Sequence, residues 1–358
     1  MTEQTHTNLG PLEPLLADPA VTEILVDGYN NIYVERGGKL EDVPGAFRDD
    51  DHLMEIIQRI AAMTGRRVDE SHPMLDMRLS DGSRVNVVIP PISLDGPLMT
   101  IRKFTATLLT ADDLMRFGVW NEAIVEFLRA CVRGLINIVV SGGTGSGKTT
   151  LMNIIAGMIA DDERIITVEA ASELRLPQRR VVRLEARPPN LEGKGEVTVS
   201  DLVINALRMR PERIIAGEVR GEEALHLLAA MNTGHNGSML TLHANSPRDA
   251  LSRLEVMASS GNPSIPLLGV RETMVGAIDL IVHIERLRDG SRKIVKVTEV
   301  QGMQGDIITL ADIFVFEQTS VESGKIVGRF VGTGQIPRFM SRFKDLGIPL
   351  SMDLFALG

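Results

Sequence analysis

The sequence predicts an α/β fold built on a largely parallel sheet and preceded by a smaller α+β unit. From Asn121 onward, apolar runs of strand length alternate with helical stretches, the pattern of parallel strands joined by crossover helices. The first run, Leu135 to Val140, leads into Gly142-Gly143-Thr144-Gly145-Ser146-Gly147-Lys148-Thr149 and then into an apolar-periodic helix. Before residue 104 the apolar runs are short, and turns at Gly28, Gly37-Gly38 and Asp81-Gly82 interrupt them.

In chain order, Glu23 to Asp27 and Ile32 to Arg36 read as strands, His52 to Thr64 as a helix, and Arg84 to Ile89 and Leu98 to Lys103 as further strands. These make a domain of residues 1–104. Residues 105–120 read as a linker with a helical turn or two, and residues 121–358 as the parallel-sheet domain. Leu151, Ile154, Ile155, Met158 and Ile159 fall on one helical face, which packs the helix after the glycine loop onto the sheet. Strands at Arg164 to Val168, Arg213 to Gly217 and Ser238 to Leu242 follow, with a helix at Glu222 to Asn232 that Gly234 stops. Another helix opens at Pro247, with Ser246 as its N-cap and Asp249 at the third position. From about residue 277, short strands at Asp279 to Glu285, Arg292 to Val300, Ile313 to Glu317 and Ile326 to Phe330, with a helix near Arg338 to Leu346, suggest a smaller C-terminal subdomain.

Composition narrows the classes. Of 358 residues, 44% are hydrophobic and 24% charged, as in ordinary globular chains, and the length suggests two or three domains. A net charge of -9 argues against a general affinity for nucleic acid or anionic lipid. The single cysteine, Cys131, excludes an intrachain disulfide and a four-cysteine zinc module. It lies in an apolar-periodic stretch, as a core residue would. No apolar run reaches the ~18 residues that cross a bilayer, so a cytoplasmic protein without direct membrane insertion is expected.

The glycine loop carries the chemistry. Glycines let successive backbone N–H groups turn inward around a phosphate, and the helix that follows directs its positive end at the anion. Lys148 adds a cation and Thr149 a hydroxyl for Mg²⁺. The spacing from Gly142 to Thr149, continued by Thr150, therefore predicts binding of ATP with Mg²⁺. Three later strands end in polar residues, Glu169, Glu218 and His243. Ligands of open parallel sheets bind beyond the carboxyl ends of the strands, which is where these three join Lys148. Glu218 is suited to orient a water or hold Mg²⁺, because the preceding position, where many phosphate-loop enzymes place an aspartate, is Gly217. Glu169, with Glu173 one helical turn on, could instead cap a helix. His243 could sense a γ-phosphate. Arg102 and the group Arg208, Arg210 and Arg213 are the candidate cations for charge developing there.

The segments Asn137 to Thr150 and Ala206 to Gly221, which contains Gly217-Glu218-Val219-Arg220-Gly221, together resemble the type II/IV secretion ATPase superfamily. So does Met231 to Arg248, with His243-Ala244-Asn245-Ser246-Pro247-Arg248. Within it they most resemble the CpaF/TadA branch, which powers Tad (Flp) pili. The likeness covers about Leu12 to Leu354. It implies a RecA-like ATPase domain, an N-terminal domain that closes over the nucleotide, and a homo-hexamer at the inner face of the cytoplasmic membrane that works on platform proteins. It also implies an acidic box around Glu169 and Glu173, a Walker B role for Glu218, a histidine box at His243 and an N-terminal-domain arginine at Arg102. Ala170 departs from the acidic-box pattern, and the helical N-terminal extension frequent in close relatives is not seen. Rival readings are a conjugative type IV secretion ATPase, a RecA-like nucleic-acid translocase and a nucleotide-gated scaffold. Only 4% aromatic residues weigh against strand binding.

Overall fold

The structure, a computed structural model, describes residues 9–63, 65–79, 81–103, 109–190 and 193–357. They fall into two compact units, divided between residues 108 and 109.

The first unit is a six-stranded antiparallel sheet in the order β3-β2-β1-β6-β5-β4. Its strands are β1 (Val21–Asp27), β2 (Ile32–Arg36), β3 (Lys39–Asp42), β4 (Met74–Arg78), β5 (Arg84–Val88) and β6 (Leu98–Arg102). Alternate residues such as Ile24, Val26, Val85, Val87, Met99 and Ile101 are buried on one face. The helices are α1 (Leu12–Ala17) and α2 (Asp50–Met63), and Leu53, Ile56, Ile57 and Ile60 of α2 bring a helical apolar stripe to the same core. Strands β3 and β4 were not expected. Both lie at sheet edges, and β3 is exposed throughout, so neither needs a strong apolar pattern.

The second unit holds a nine-stranded sheet in the order β15-β14-β13-β12-β7-β11-β10-β8-β9. The strands are β7 (Ile138–Gly142), β8 (Ile165–Glu169), β9 (Val181–Glu185), β10 (Arg213–Ala216), β11 (Met239–His243), β12 (Leu280–Arg286), β13 (Arg292–Gln304), β14 (Ile307–Glu322) and β15 (Lys325–Gly332). Pairing is parallel from β12 to β9 and antiparallel from β12 to β15. The helices are α3 (Ala111–Arg116), α4 (Glu122–Arg133), α5 (Lys148–Ala156), α6 (Val199–Ala206), α7 (Glu223–Asn232), α8 (Pro247–Gly261), α9 (Leu267–Ala277) and α10 (Met340–Asp345). Strand β7 is buried along its whole length. Ile138 and Val140 face one apolar cluster and Val139 the other, which is why this stretch reads as a continuous apolar run. Each such side chain contributes roughly 1.5–3 kcal/mol by its burial. Cys131 is buried in the first cluster, where burial pushes its thiol well above the ordinary range.

Two expectations about organisation change. Residues 109–120 belong to the second unit: Thr110 and Asp113 form a capping box on α3, and Trp120, buried, donates its Nε1–H to Ala111 O at 3.0 Å. Residues 105–108 of the expected linker, and residue 104 before it, lie outside the described residues. The chain from 280 onward is not a separate subdomain either. Strand β12 pairs with β7, and Leu280, Val282, Phe314 and Phe355 enter the same cluster as Ile138. The Phe127 ring of α4 lies 5.4 Å from that of Phe314 and 5.7 Å from that of Phe355.

Three further elements of this unit were not expected. Strand β9 is a half-exposed edge, and α6 is short despite a capping box at Thr198 and Asp201. Helix α9 carries Gly269 and Gly276, and glycines weaken a helical pattern. Gly276 is there for contact, since a Cβ would lie 2.6 Å from Asn232 Oδ1.

Candidate functional site

The phosphate loop begins where β7 ends and runs into α5. Gly145 and Gly147 adopt left-handed backbone (φ 69° and 96°), which a side chain would strain, and a Cβ on Gly142 would lie 2.2 Å from Ile284 O. Gly143 O accepts from both Ser146 Oγ and Lys148 Nζ, each at 2.9 Å, and Arg292 on β13 donates its Nε–H to Gly145 O at 3.0 Å. The loop is thus shaped by its own serine and lysine and held from outside by an arginine. Arg292 was not singled out from the sequence, because nothing local marks a contact that sheet order alone creates.

Strand order then gathers the other groups. Adjacent strands β7, β11, β10 and β8 end on the same side, so His243 at the end of β11 and Glu218 just past β10 come together with Lys148. Lys148 Nζ lies 3.4 Å from His243 Nδ1, and His243 Nε2 lies 2.7 Å from Glu218 Oε1. An ammonium has only protons to give, so Nδ1 is the acceptor and the ring proton belongs on Nε2, toward Glu218. Oε1 makes no aligned hydrogen bond despite that short distance. Burial lowers the His243 pKa, the Lys148 charge lowers it further, and Glu218 opposes both. The ring is therefore neutral around pH 7. The turn that carries it is fixed by Ser246, which accepts from Asp249 N at 3.0 Å, as the N-cap pattern predicted.

Glu169 is almost fully buried. Its Oε1 accepts from Glu173 N at 2.9 Å and Leu174 N at 3.0 Å, while Oε2 has no hydrogen-bond partner. No helix follows it, so the capping alternative is not realised. Gly217 is explained by the same carboxylate: a Cβ there would lie 2.7 Å from Glu169 Cγ, so Glu169 fills the space an acidic side chain at 217 would need. Burial pushes the Glu169 carboxyl up to about 7, with the Glu173 charge adding and the two backbone N–H groups opposing.

A carboxyl whose pKa is higher folded than unfolded favours the fold while protonated. That contribution is complete below about 4.5 and is lost as pH rises through about 7. Glu169→Gln, neutral at every pH, should therefore gain about 3 kcal/mol over the wild type at pH 8 and almost nothing at pH 4.5. Urea melts at the two pH values measure this, and an equal difference at both would mean an ordinary ionised carboxylate.

Around these groups opens a cleft of about 900 Å³, lined among others by Gly143, Thr144, Arg220, His243, Asn245 and Arg253. Arg220 places Nε 2.8 Å from Glu218 Oε2 and its Nη2 on the same oxygen. Thr149 Oγ1 donates to Glu173 Oε2 at 3.4 Å. Thr149 and Glu173 bring a hydroxyl and a carboxylate oxygen together, the donors Mg²⁺ prefers, and Glu218 is a further carboxylate at a neighbouring strand end, so the chemistry of these residues fits that ion.

The arginine candidates separate. Arg213 is buried at the start of β10, with Nε and Nη2 at 2.6 and 2.7 Å from the two Glu163 oxygens and Nη2 at 2.9 Å from Val132 O, so it is a structural residue. Arg208 and Arg210 are exposed and precede β10, at the amino ends of the strands, so within one chain they do not join Lys148. This corrects the expectation for Arg210. Arg102 belongs to the first unit, at the end of β6 between β1 and β5, with Nε 3.6 Å from Glu23 Oε1.

A sheet with parallel strands ending at a phosphate loop, beside a strand-end glutamate and histidine, defines a RecA-like ATPase of the phosphate-loop class. Residues 5–305 match the model of the type II/IV secretion system protein family, and the chain belongs to that family. It is 34% identical to the conjugal transfer protein TrbB of Rhizobium radiobacter over 295 residues, 81% of this chain and 87% of the relative. The type IV secretion system protein VirB11 of Bartonella quintana is 29% identical over 81% of this chain and 91% of its own. Among solved structures, the ATPase DotB of Legionella pneumophila shares the fold, with a TM-score of 0.55 at 22% identity over 78% of this chain and 76% of that one.

Proposed function

We propose that this chain is an ATP-hydrolysing motor of a type II/IV secretion or pilus apparatus, acting as a homo-hexamer on inner-membrane platform proteins at the cytoplasmic face of the membrane. The observation that carries the reading is the contact line from Lys148 through His243 to Glu218 at the mouth of the phosphate loop. In this reading the loop amides from Gly143 to Thr150 bind the phosphates, and Lys148 leaves Gly143 O for the β- and γ-oxygens. Glu218 accepts from the attacking water, and His243 reports the γ-phosphate. When bound, Mg²⁺, held by Thr149 and Glu218, offsets charge on the phosphate oxygens. Arg102 is the further cation that the family resemblance implies for the γ-phosphate.

Two placements remain in view. The named relatives are conjugal transfer and type IV secretion proteins, which favours a conjugative or type IV apparatus. The blocks from Ala206 to Arg248 favour a Tad-type pilus. Capture by platform proteins from a pilus system, against capture by relaxase and coupling proteins, distinguishes them. Among the described residues no helix is long and apolar enough to cross a membrane, so docking on a platform is the proposed route to the bilayer.

With a net charge of -9, ATPase activity at about 100 mM salt should rise with platform-containing membranes and stay flat with single- or double-stranded DNA. Saturable stimulation by DNA alone would replace the motor by a nucleic-acid translocase.

A further inference from the structure

We propose that Arg220 reads the γ-phosphate: it holds Glu218 in reserve while no triphosphate is bound and leaves it for the γ-phosphoryl oxygens when ATP arrives. The inference rests on the ATPase reading above and adds to it a residue that selects ATP over ADP.

Four observations converge on it. Arg220 commits two N–H groups to one oxygen, Glu218 Oε2, while Oε1 faces His243. Oε2 is thus taken up by the guanidinium, while Oε1, near His243 Nε2, makes no aligned hydrogen bond, so releasing Arg220 frees Oε2 and leaves the carboxylate's full charge for a water. The guanidinium is 65% exposed and Glu218 23%, so this ion pair is a weak one that solvent screens. A γ-phosphate carries more charge and three acceptor oxygens, and guanidinium pairs with such a group in fork geometry, so it outcompetes a single carboxylate oxygen.

The base of the side chain is meanwhile fixed. Glu223, buried at the start of α7, accepts from Arg220 N at 2.7 Å and from Gly221 N at 3.0 Å, and Val219 N donates to Thr241 O at 2.8 Å. Only the exposed end of Arg220 has to move. It lines the same cleft as Gly143 and Thr144 of the phosphate loop, so the move stays within one cavity. ADP has no γ-phosphate to draw the guanidinium away, and Glu218 then stays engaged.

The test is equilibrium binding of fluorescent ADP and a fluorescent, non-hydrolysable ATP analogue, each with Mg²⁺, to the full chain. In the wild type both should bind, and Lys148→Ala should weaken both at least about tenfold. Arg220→Gln should weaken the ATP analogue about tenfold while changing ADP less than about twofold, and Arg220→Lys should recover part of the loss. Glu218→Gln leaves only a neutral acceptor to compete for Arg220, so in a parallel titration without Mg²⁺, which Glu218 would also hold, it should tighten the ATP analogue, and this gain should vanish in the Arg220→Gln, Glu218→Gln double variant. Equal losses for both nucleotides in Arg220→Gln, or a gain that survives in the double variant, would overturn the role of Arg220 and leave the ATPase reading standing. A wild type that binds neither nucleotide, or binds them without need of Lys148, would overturn both. Matching thermal melts of the variants exclude misfolding as the cause.

Discussion

Lys148→Ala should bring ATP turnover down by at least about a hundredfold and weaken nucleotide binding, with the fold intact. The ammonium lies 2.9 Å from Gly143 O and 3.4 Å from His243 Nδ1, at the centre of the loop. The other cations around it do not take its place: Arg292 donates to Gly145 O, Arg253 lies 3.5 Å from Asp249, and Arg220, paired with Glu218, is proposed for the γ-oxygens alone. None of them replaces a charge that reaches the β- and γ-oxygens together. Stability should change little, because Lys148 is the first residue of α5 and alanine is the better helix former. The helix also keeps its anchors, Leu151, Ile154 and Ile155. Steady-state hydrolysis and a thermal melt of the same preparation make the comparison. Near-normal turnover would mean that the glycine loop from Gly142 to Thr149 is not the nucleotide site.

Much of this geometry was legible in the sequence because it depends on local rules. Glycines at positions with left-handed backbone, a strand before them and an apolar-periodic helix after them locate the phosphate loop from one stretch of chain. The N-cap at Ser246 is similarly local. That Glu169, Glu218 and His243 stand at strand ends was also readable, since each closes an apolar run. Their mutual contacts were not, because they follow from the order β7-β11-β10-β8, which no periodicity fixes. The same holds for Arg292 at the loop and for Gly217 under Glu169, where a missing side chain on one strand makes sense only beside the filled space of its neighbour. Arg210 and Arg213 show the converse error. An arginine cluster near an interesting strand looked chemical, yet the strand's direction sends it to the opposite end of the sheet, where Arg213 holds Glu163 and main-chain carbonyls. The strands after residue 280 read as a separate subdomain because their pattern is short and irregular. Pairing of β12 with β7, and of β13, β14 and β15 outward from β12, makes them one sheet with the parallel strands.

Glu218→Gln separates binding from chemistry. Glutamine keeps the shape and can still accept from Arg220, so the turn after β10, fixed by Glu223 and Thr241, has no reason to move. What it lacks is the charge that draws a proton from water and that, with Thr149, holds Mg²⁺. Turnover should fall by about a hundredfold to a thousandfold while ATP still binds, so the variant accumulates as an ATP complex. Single-turnover assays with labelled ATP resolve the two steps: labelled ATP should be recovered intact from the isolated complex. Glu169 provides the control, since its carboxyl is buried and bound to the turn at Glu173 and Leu174. Glu169→Gln should keep most of the single-turnover rate while changing the pH dependence of stability. If Glu218→Gln instead hydrolyses ATP at the wild-type rate and Glu169→Gln does not, the water is activated from β8, and Glu218 serves only to position His243 and Arg220.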